Sequence, residues 1–284
     1  MFDVIYRYDP TRSSGRHPPT DAAEAHRRLV DGNEAFAAMA AHTEDGCRVV
    51  PVDLEDLGIG NAGQALQQQP FAVVIGCSDA RVPTELVFDR ACNELFVVRV
   101  AGNILGQDEL GSVDYAVGHF RDDLKLLVVL GHSQCGAVTA AVDAFLKPID
   151  YLDLAGSHHI RSIVNTIFPA VRGAARTLAV AWGEDVVERP GYRAALIECS
   201  SVLNAAISAS ILRASFQQDA QPQRVVFGIY DLETRRVHVP LSPDESRPTA
   251  TRLEDVPAGQ DGFRDLAARI GASARIQRLL AGVF

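Results

Sequence analysis

The sequence has few of the features that mark secreted, disulfide-rich or nucleic-acid-binding proteins. Its 284 residues include five cysteines, which are too few and too irregularly spaced for a disulfide framework. In a protein of a reducing compartment, cysteines that lie close together more often bind a metal or take part in catalysis than form disulfides. There is no block rich in Lys and Arg, and 27 basic against 36 acidic residues give a formal net charge of −9. This balance argues against nucleic acid as a partner.

Long hydrophobic runs are also lacking. No window approaches the roughly 18 uncharged apolar residues of a membrane-spanning helix, and the N-terminal segment has no apolar core typical of a signal peptide. We therefore expect a cytoplasmic protein with no membrane partner. Apolar residues make up 47% of the sequence and charged residues 22%, a composition typical of a globular protein that can bury a large core.

Short apolar segments alternate along the chain with amphipathic ones. Runs of this length, rich in β-branched residues and closed by glycine, are typical of buried parallel strands. Their alternation with helices predicts an α/β fold with a mainly parallel β-sheet flanked by helices. A break is expected near Pro169. The predicted strands are 71–75, 95–100, 126–130, 224–231 and 236–239, and the main predicted helices are 22–39, 111–120, 136–142, 160–180 and 196–214.

The pattern divides the chain into three parts. Residues 1–66 are expected to form an N-terminal arm and helix, and residues 67–240 the α/β domain that carries the chemistry. Residues 241–284 are expected to form a C-terminal tail that ends in an amphipathic helix. We expect this helix to dock on the main domain or on a partner subunit. Its apolar residues are Phe263, Leu266, Ile270, Leu279 and Leu280.

Two motifs carry most of the chemistry. A Cys-Ser-Asp-Ala-Arg motif begins at Cys77, directly after the first predicted strand, and a His-Ser-Gln-Cys motif from His132 to Cys135 follows the third. Ligand-handling residues gather at the carboxyl ends of parallel strands, so the two motifs are expected to meet. Two thiolates and an imidazole suit Zn²⁺, and three protein ligands leave its fourth position for water. The motifs therefore predict a catalytic zinc site.

The His-x-x-Cys spacing is weak evidence by itself, and its placement strengthens it. His132 and Cys135 lie where a strand passes into a helix, and residues three apart share one face of a helical turn. The positive end of the helix dipole also stabilises a thiolate there. The alternative is that these are buried structural residues without a metal.

Asp79 and Arg81 add a second feature to the first motif. Each lies an even number of residues from Cys77, so an extended chain would project all three side chains to one side. An aspartate beside a metal-bound water can accept its proton in a hydrogen bond, and the guanidinium of Arg81 can keep that carboxylate ionised and aimed. The alternative is a surface ion pair of little consequence.

Four ordered blocks together resemble the β-class carbonic anhydrases. They are Cys-Ser-Asp-Ala-Arg-Val-Pro from residue 77, Leu-Phe-Val-Val-Arg-Val-Ala-Gly-Asn from 95, Gly-Ser-Val-Asp-Tyr-Ala-Val from 111 and Gly-His-Ser-Gln-Cys-Gly-Ala-Val from 131. The resemblance runs from about residue 20 to about residue 240, and it includes Leu-Val-Asp-Gly-Asn from 29 and Ile-Tyr-Asp-Leu-Glu-Thr from 229. Blocks in this order are far more specific than either metal fragment alone.

The resemblance implies a zinc lyase, a carbonate dehydratase that interconverts CO₂ and bicarbonate with release of a proton. Cys77, His132 and Cys135 would be the zinc ligands, and the Asp79–Arg81 dyad would orient a zinc-bound hydroxide. The family's basic unit is a dimer with active sites at the subunit boundary, so a homodimer or a higher even homo-oligomer is implied.

Some alternatives stay open at this stage. Some family members have a regulatory bicarbonate site with a tryptophan where this chain has Val74, so we expect that site to be missing here. Relatives of the fold hydrolyse CS₂ or COS, and nothing in the sequence excludes such a substrate. The rival of another class is a non-catalytic protein whose zinc is structural, which would need four protein ligands. Whether Asp79 can itself ligate the metal is also open.

Overall fold

The computed structural model describes residues 2–8, 17–41, 46–52, 67–153, 158–216 and 223–282. It confirms the predicted α/β fold with a mainly parallel sheet. The strands are β1 (Phe2–Tyr8), β2 (Gly46–Val52), β3 (Ala72–Gly76), β4 (Leu95–Arg99), β5 (Leu126–His132), β6 (Arg224–Tyr230), β7 (Val237–His238) and β8 (Glu254–Asp255).

The main sheet has the order β4-β3-β5-β6-β7. Its first four strands are parallel, whereas β7 and β8 pair antiparallel with β6. Strands β3 and β5 are buried along their whole length, as expected for the centre of a sheet covered on both faces, and β4 at the edge is only half-buried. Strands β1 and β2 form a separate parallel pair.

Helices cover the sheet, and short 3₁₀ turns lie at Ala101–Asn103 and Glu184–Glu188. The α-helices are α1 (Ala22–Ala41), α2 (Thr84–Val87), α3 (Gln107–His119), α4 (Gly136–Leu146), α5 (Pro148–Asp153), α6 (His158–Trp182), α7 (Tyr192–Phe216), α8 (Gly259–Gly271) and α9 (Ala274–Leu280).

Two apolar cores lie on the two faces of the sheet. Successive strand residues point to opposite faces, so Val73 and Ile75 belong to one core and Ala72 and Val74 to the other. The larger core is closed by α3, α4, α6 and α7, and the smaller one by α1 and α2. The two sequence motifs lie at the carboxyl ends of β3 and β5 in this two-sided sheet.

Helix α7 contains charged residues and so is not an uncharged apolar run, but by its length and mean hydropathy alone it is apolar enough to cross a membrane. However, 83% of its most apolar stretch is buried inside the protein. Its place between the sheet and α6 is that of a core helix, which explains its apolar character without a membrane.

Two sequence-based expectations about helices are wrong. Helix α6 continues through Pro169, because buried residues on both sides of the proline, such as Ile167 and Val171, pack into the core and offset the lost backbone hydrogen bond. The C-terminal amphipathic stretch forms two helices, α8 and α9, because Ser273 caps the second one by accepting a hydrogen bond from the backbone NH of Ile276.

The C-terminal segment packs on the domain through specific contacts. The indole of Trp182 donates a hydrogen bond to the carbonyl of Gly271 at 2.8 Å. A Cβ atom added to Gly191 would lie 1.7 Å from the carbonyl oxygen of Leu279, so α9 touches the backbone just before α7. This close approach requires glycine at 191 and fixes α9 against the N-terminal end of α7.

Candidate metal centre

The two motifs meet at the carboxyl edge of the sheet. Cys77 directly follows β3, His132 is the last residue of β5, and Cys135 is the N-cap of α4. Strands β3 and β5 are parallel neighbours, with Gly76 paired to Leu130. Their ends therefore lie side by side, as the motif positions predicted.

The structure brings Cys77, His132 and Cys135 together. One ligand atom from each lies within 4.8 Å of the others, and the two Sγ atoms are 3.9 Å apart. Zn–S bonds of about 2.3 Å in a tetrahedral site would separate two sulfurs by roughly 3.8 Å. All three side chains are buried. Among the described residues, no fourth His, Cys, Asp or Glu belongs to this potential metal-binding group.

The imidazole of His132 is oriented for ligation through one nitrogen. Nδ1 donates a hydrogen bond to the carbonyl of Ser133 at 2.9 Å. Nε2 is buried and has no hydrogen-bond partner in the described structure. A buried orphan nitrogen is costly unless something binds it, and a histidine held through its other nitrogen is the usual arrangement of a metal ligand. The donor set therefore fits a zinc ion.

The two cysteines differ in electrostatics. The pKa of Cys77 is held well below its usual range, chiefly by its hydrogen bond with Cys135, with His132 and the backbone NH of Gly102 adding to the effect. The pKa of Cys135 is raised by the same hydrogen bond and by burial, because a second negative charge beside the Cys77 thiolate is disfavoured. A divalent cation would remove that conflict by accepting both thiolates.

Asp79 and Arg81 form a two-pronged ion pair beside the cysteine–histidine group. Nε and Nη2 of Arg81 donate to the two carboxylate oxygens of Asp79 at 2.9 and 2.7 Å. The hydrogen bonds from Arg81 hold the pKa of Asp79 far below its usual range. Oδ2 of Asp79 lies 3.8 Å from Nε2 of His132, so the carboxylate borders the place where a metal would sit.

Sequence reasoning missed Arg99, which holds the first motif in place. Arg99 is the last residue of β4 and pairs in register with Gly76. Its Nε donates to the carbonyl of Cys77 at 3.0 Å, and its Nη2 to the carbonyl of Asp79 at 2.6 Å. The sequence does contain a signal for this role: Arg99 is a charged residue at the end of an apolar strand that neighbours the strand before the motif.

The turn at Gly102 was also missed as part of the site. The backbone NH of Gly102 donates to Sγ of Cys77 at 3.3 Å. Its φ of +71° is the left-handed conformation that favours glycine. From α7, Asn204 donates to the carbonyl of Gly102 at 2.7 Å and Ser208 to that of Asn103 at 3.1 Å. The core helix thus holds the turn that contacts the cysteine.

Comparison with known proteins identifies the family that this chain is similar to. A family model described as "Carbonic anhydrase" matches residues 72–237. The chain is 38% identical over 154 residues to carbonic anhydrase 2 of Mycobacterium tuberculosis and 35% identical over 155 residues to a carbonic anhydrase of Mycolicibacterium smegmatis. Each match includes 54% of this chain and spans 66% of the relative's length, just under two thirds.

Solved structures give a more distant likeness. The β-carbonic anhydrase of Coccomyxa, determined in complex with acetazolamide, aligns with a TM-score of 0.45 and 22% sequence identity. The alignment covers 74% of this chain and 84% of that one.

Proposed function

Because the chain belongs to the carbonic anhydrase family, as the match over residues 72–237 shows, we propose that it catalyses the reversible hydration of CO₂ to bicarbonate and a proton. The observation that carries the proposal is the buried group of Cys77, His132 and Cys135 at the ends of β3 and β5, in which the Nε2 atom of His132 has no hydrogen-bond partner among the described residues. The enzyme would be a zinc lyase, and we propose these three residues as its metal ligands.

Each ligand has a separate task in this proposal. Zinc, when bound, acts as a Lewis acid and makes water a nucleophile near neutral pH. Cys77 and Cys135 supply two negative charges, which balance the ion, and Ser133 keeps His132 in the tautomer that presents Nε2. A neutral ligand set of three histidines would acidify water more strongly, so this site needs further help in orienting the nucleophile.

The Asp79–Arg81 dyad supplies that help. Arg81 keeps Asp79 ionised, and an ionised carboxylate accepts the proton of the attacking water in a hydrogen bond and so aims its lone pair at CO₂. Arg99 fixes the backbone between Cys77 and Asp79, which sets the distance between ligand and dyad. The role of Arg81 is to orient Asp79 and keep it ionised, and the role of Asp79 is to orient the water.

Two rival functions make different predictions. Structural zinc would need a fourth protein ligand, and it would have no use for a carboxylate held ionised at the edge of the site. Hydrolysis of CS₂ or COS would use the same residues, and product analysis with each substrate separates it from CO₂ hydration.

We propose further that the protein is cytoplasmic and acts as a homodimer or a higher even homo-oligomer. Strand β4 supports the second point: it is an edge strand, only half-buried, and the exposed ring of Tyr115 lies 6.3 Å from that of Phe96 on it. Open edges with apolar side chains are commonly covered in proteins. Light scattering on the purified protein tests the oligomeric state.

Metal analysis paired with a CO₂ hydration assay across pH tests the proposed function. We expect one zinc per chain and measurable hydration, and we expect Cys77→Ser to lose both because it removes a thiolate ligand from a three-ligand site. The exposed cysteine Cys92 offers a matched control, since Cys92→Ser should keep zinc and activity. A wild-type protein that carries zinc but hydrates no CO₂ would overturn the proposed activity.

A further inference from the structure

A buried ionic cluster lies outside the metal centre. Arg275 of α9 faces two carboxylates: its Nε lies 3.3 Å from Oε1 of Glu198 on α7, and its Nη2 lies 3.4 Å from Oδ2 of Asp231, just after β6. The three residues are 5%, 4% and 1% exposed. Burying such a cluster costs desolvation free energy, so a gain in stability is a weak explanation for it. Its effect on the positions of the neighbouring groups is a stronger one.

Asp231 uses its other carboxylate oxygen to build a turn. Oδ1 accepts hydrogen bonds from the backbone NH groups of Glu233 and Thr234 at 2.9 and 2.8 Å. The NH of Arg235 donates to the carbonyl of Asp231 at 2.8 Å, which closes the turn. One oxygen of Asp231 thus shapes residues 231–235, and the other faces Arg275.

This turn contacts the loop that carries His132. The NH of Leu232 donates to Oγ of Ser133 at 3.0 Å, and the NH of Ser133 donates to the carbonyl of Tyr230 at 3.0 Å. The carbonyl of Ser133 in turn accepts the hydrogen bond from Nδ1 of His132. An unbroken series of contacts therefore leads from the C-terminal helix to the imidazole.

We propose that Arg275 is a positioning residue for the metal centre. Through Asp231 it fixes the turn at 231–235, and the turn fixes Ser133 and the orientation of the His132 ring. The inference rests on the proposed function in one respect, namely that His132 is a metal ligand. Arg275 lies outside the residues that match the family model, so this chain supplies the support from its own C-terminal segment.

A second arginine provides a control that distinguishes positioning of the metal centre from simple anchoring of the C-terminal segment. Arg213 of α7 donates to the carbonyls of Val256 and Pro257 at 2.9 and 2.8 Å, just before α8. It anchors the same segment, but its hydrogen bonds in the described structure go to 256–257 and not to the turn or to Ser133. Loss of Arg213 should loosen the segment and leave the imidazole in place.

The test compares Arg275→Met, Arg275→Lys and Asp231→Asn with Arg213→Met. Each variant is loaded with zinc and its metal loss to a chelator is timed, at a temperature where every variant is folded. The visible spectrum of the Co²⁺-substituted proteins then reports the ligand geometry. Residues that hydrogen-bond directly to a metal ligand change metal affinity by roughly 10- to 100-fold when they are replaced. Arg275 acts through further residues, so we expect its replacement to speed metal loss by about 5- to 10-fold.

We expect faster loss and shifted Co²⁺ bands for Arg275→Met and Asp231→Asn, partial rescue in Arg275→Lys, and values within about twofold of wild type for Arg213→Met. If Arg275→Met fails to fold, Asp231→Asn carries the same comparison because Asn keeps the acceptor for the turn. Equal metal loss in the Arg275, Asp231 and Arg213 variants overturns the inference alone. A wild-type protein that binds no metal at Cys77, His132 and Cys135 overturns the proposed function as well.

Discussion

Asp79 is the residue on which the proposed chemistry depends most. Arg81 holds both of its oxygens, so the carboxylate stays ionised and fixed beside the three proposed ligands. It is not among the three grouped ligand residues, which makes its task separable from metal binding.

The variant Asp79→Asn should therefore keep zinc and lose most of its turnover. An amide cannot accept the water proton in the same way and is not paired by Arg81, so CO₂ hydration should fall by about 10²-fold or more. Zinc stoichiometry and stopped-flow hydration rates measure the two effects separately. A variant with full zinc and wild-type turnover would refute the assigned role.

The buried side chain of His238 leads to a prediction about how stability depends on pH. It is buried in β7, and burial lowers its pKa to about 4 from a reference value of 6.5. The unfolded chain therefore binds a proton that the folded chain resists, and stability falls as pH drops from about 6.5 towards 4. The contribution lost over that window is about 3 kcal/mol.

Denaturant titrations between these pH values on wild type and His238→Gln check this prediction. Zinc loss in acid affects both proteins alike, so the difference between them isolates the histidine. The variant should show the smaller decline; an identical decline would mean that His238 does not titrate in this range.

At the scale of elements, the 3₁₀ turn Ala101–Asn103 connects the core helix α7 with the metal centre. A Cβ atom added to Gly102 would lie 2.9 Å from Cδ1 of Ile167 and 3.1 Å from Cβ of Ala137, and the backbone has a positive φ. The turn also donates the NH that Cys77 accepts. Glycine is required here by both conformation and space.

Gly102→Ala should lower the free energy of unfolding by roughly 1–3 kcal/mol, because of the backbone strain and the crowding. It should also speed metal loss, because the NH that contacts Cys77 moves. Gly111→Ala is the matched control: no atom of the described part of the chain lies within 4 Å of its added Cβ atom, and alanine should stabilise helix α3 by up to about 1 kcal/mol. Thermal unfolding and chelator challenge of both variants measure the two effects, and equal behaviour would contradict the role of this turn.

Local sequence patterns predicted the elements that carry the motifs, because strand β3 and strand β5 are continuous apolar runs closed by glycine. They also predicted that Cys77, His132 and Cys135 would meet, since parallel strands end at one edge. They failed where distant packing decides: α6 continues through Pro169 because its neighbours on both sides are buried. The roles of Arg99 and Arg275 depend on contacts with residues far away in the sequence, which spacing alone does not reveal.

At the scale of the whole molecule, the C-terminal segment completes the larger core. Most of its buried apolar residues lie in the same cluster as those of α6 and α7. Arg275 also balances Glu198 and Asp231, which would otherwise be buried without a cation partner among the residues that the structure describes. The residues that the segment buries include Leu266, Ile270, Ile276 and Leu280.

A chain shortened after residue 240 should therefore aggregate or unfold at a temperature lower by more than about 10 °C, because the loss of several buried side chains costs about 2 kcal/mol or more for each. Thermal unfolding and size-exclusion chromatography of the shortened protein measure this. An unchanged unfolding temperature and elution volume would show that the segment is independent of the core.

The central claim is that two sulfurs and one imidazole hold a zinc ion and leave one position to solvent. X-ray absorption at the zinc edge of the active protein measures this most directly. We predict two sulfur neighbours at about 2.3 Å and two nitrogen or oxygen neighbours at about 2.0–2.1 Å, with the sulfur count halved in any zinc that Cys135→Ser retains. A wild-type spectrum with three or four sulfurs, or with no bound zinc, would contradict the account.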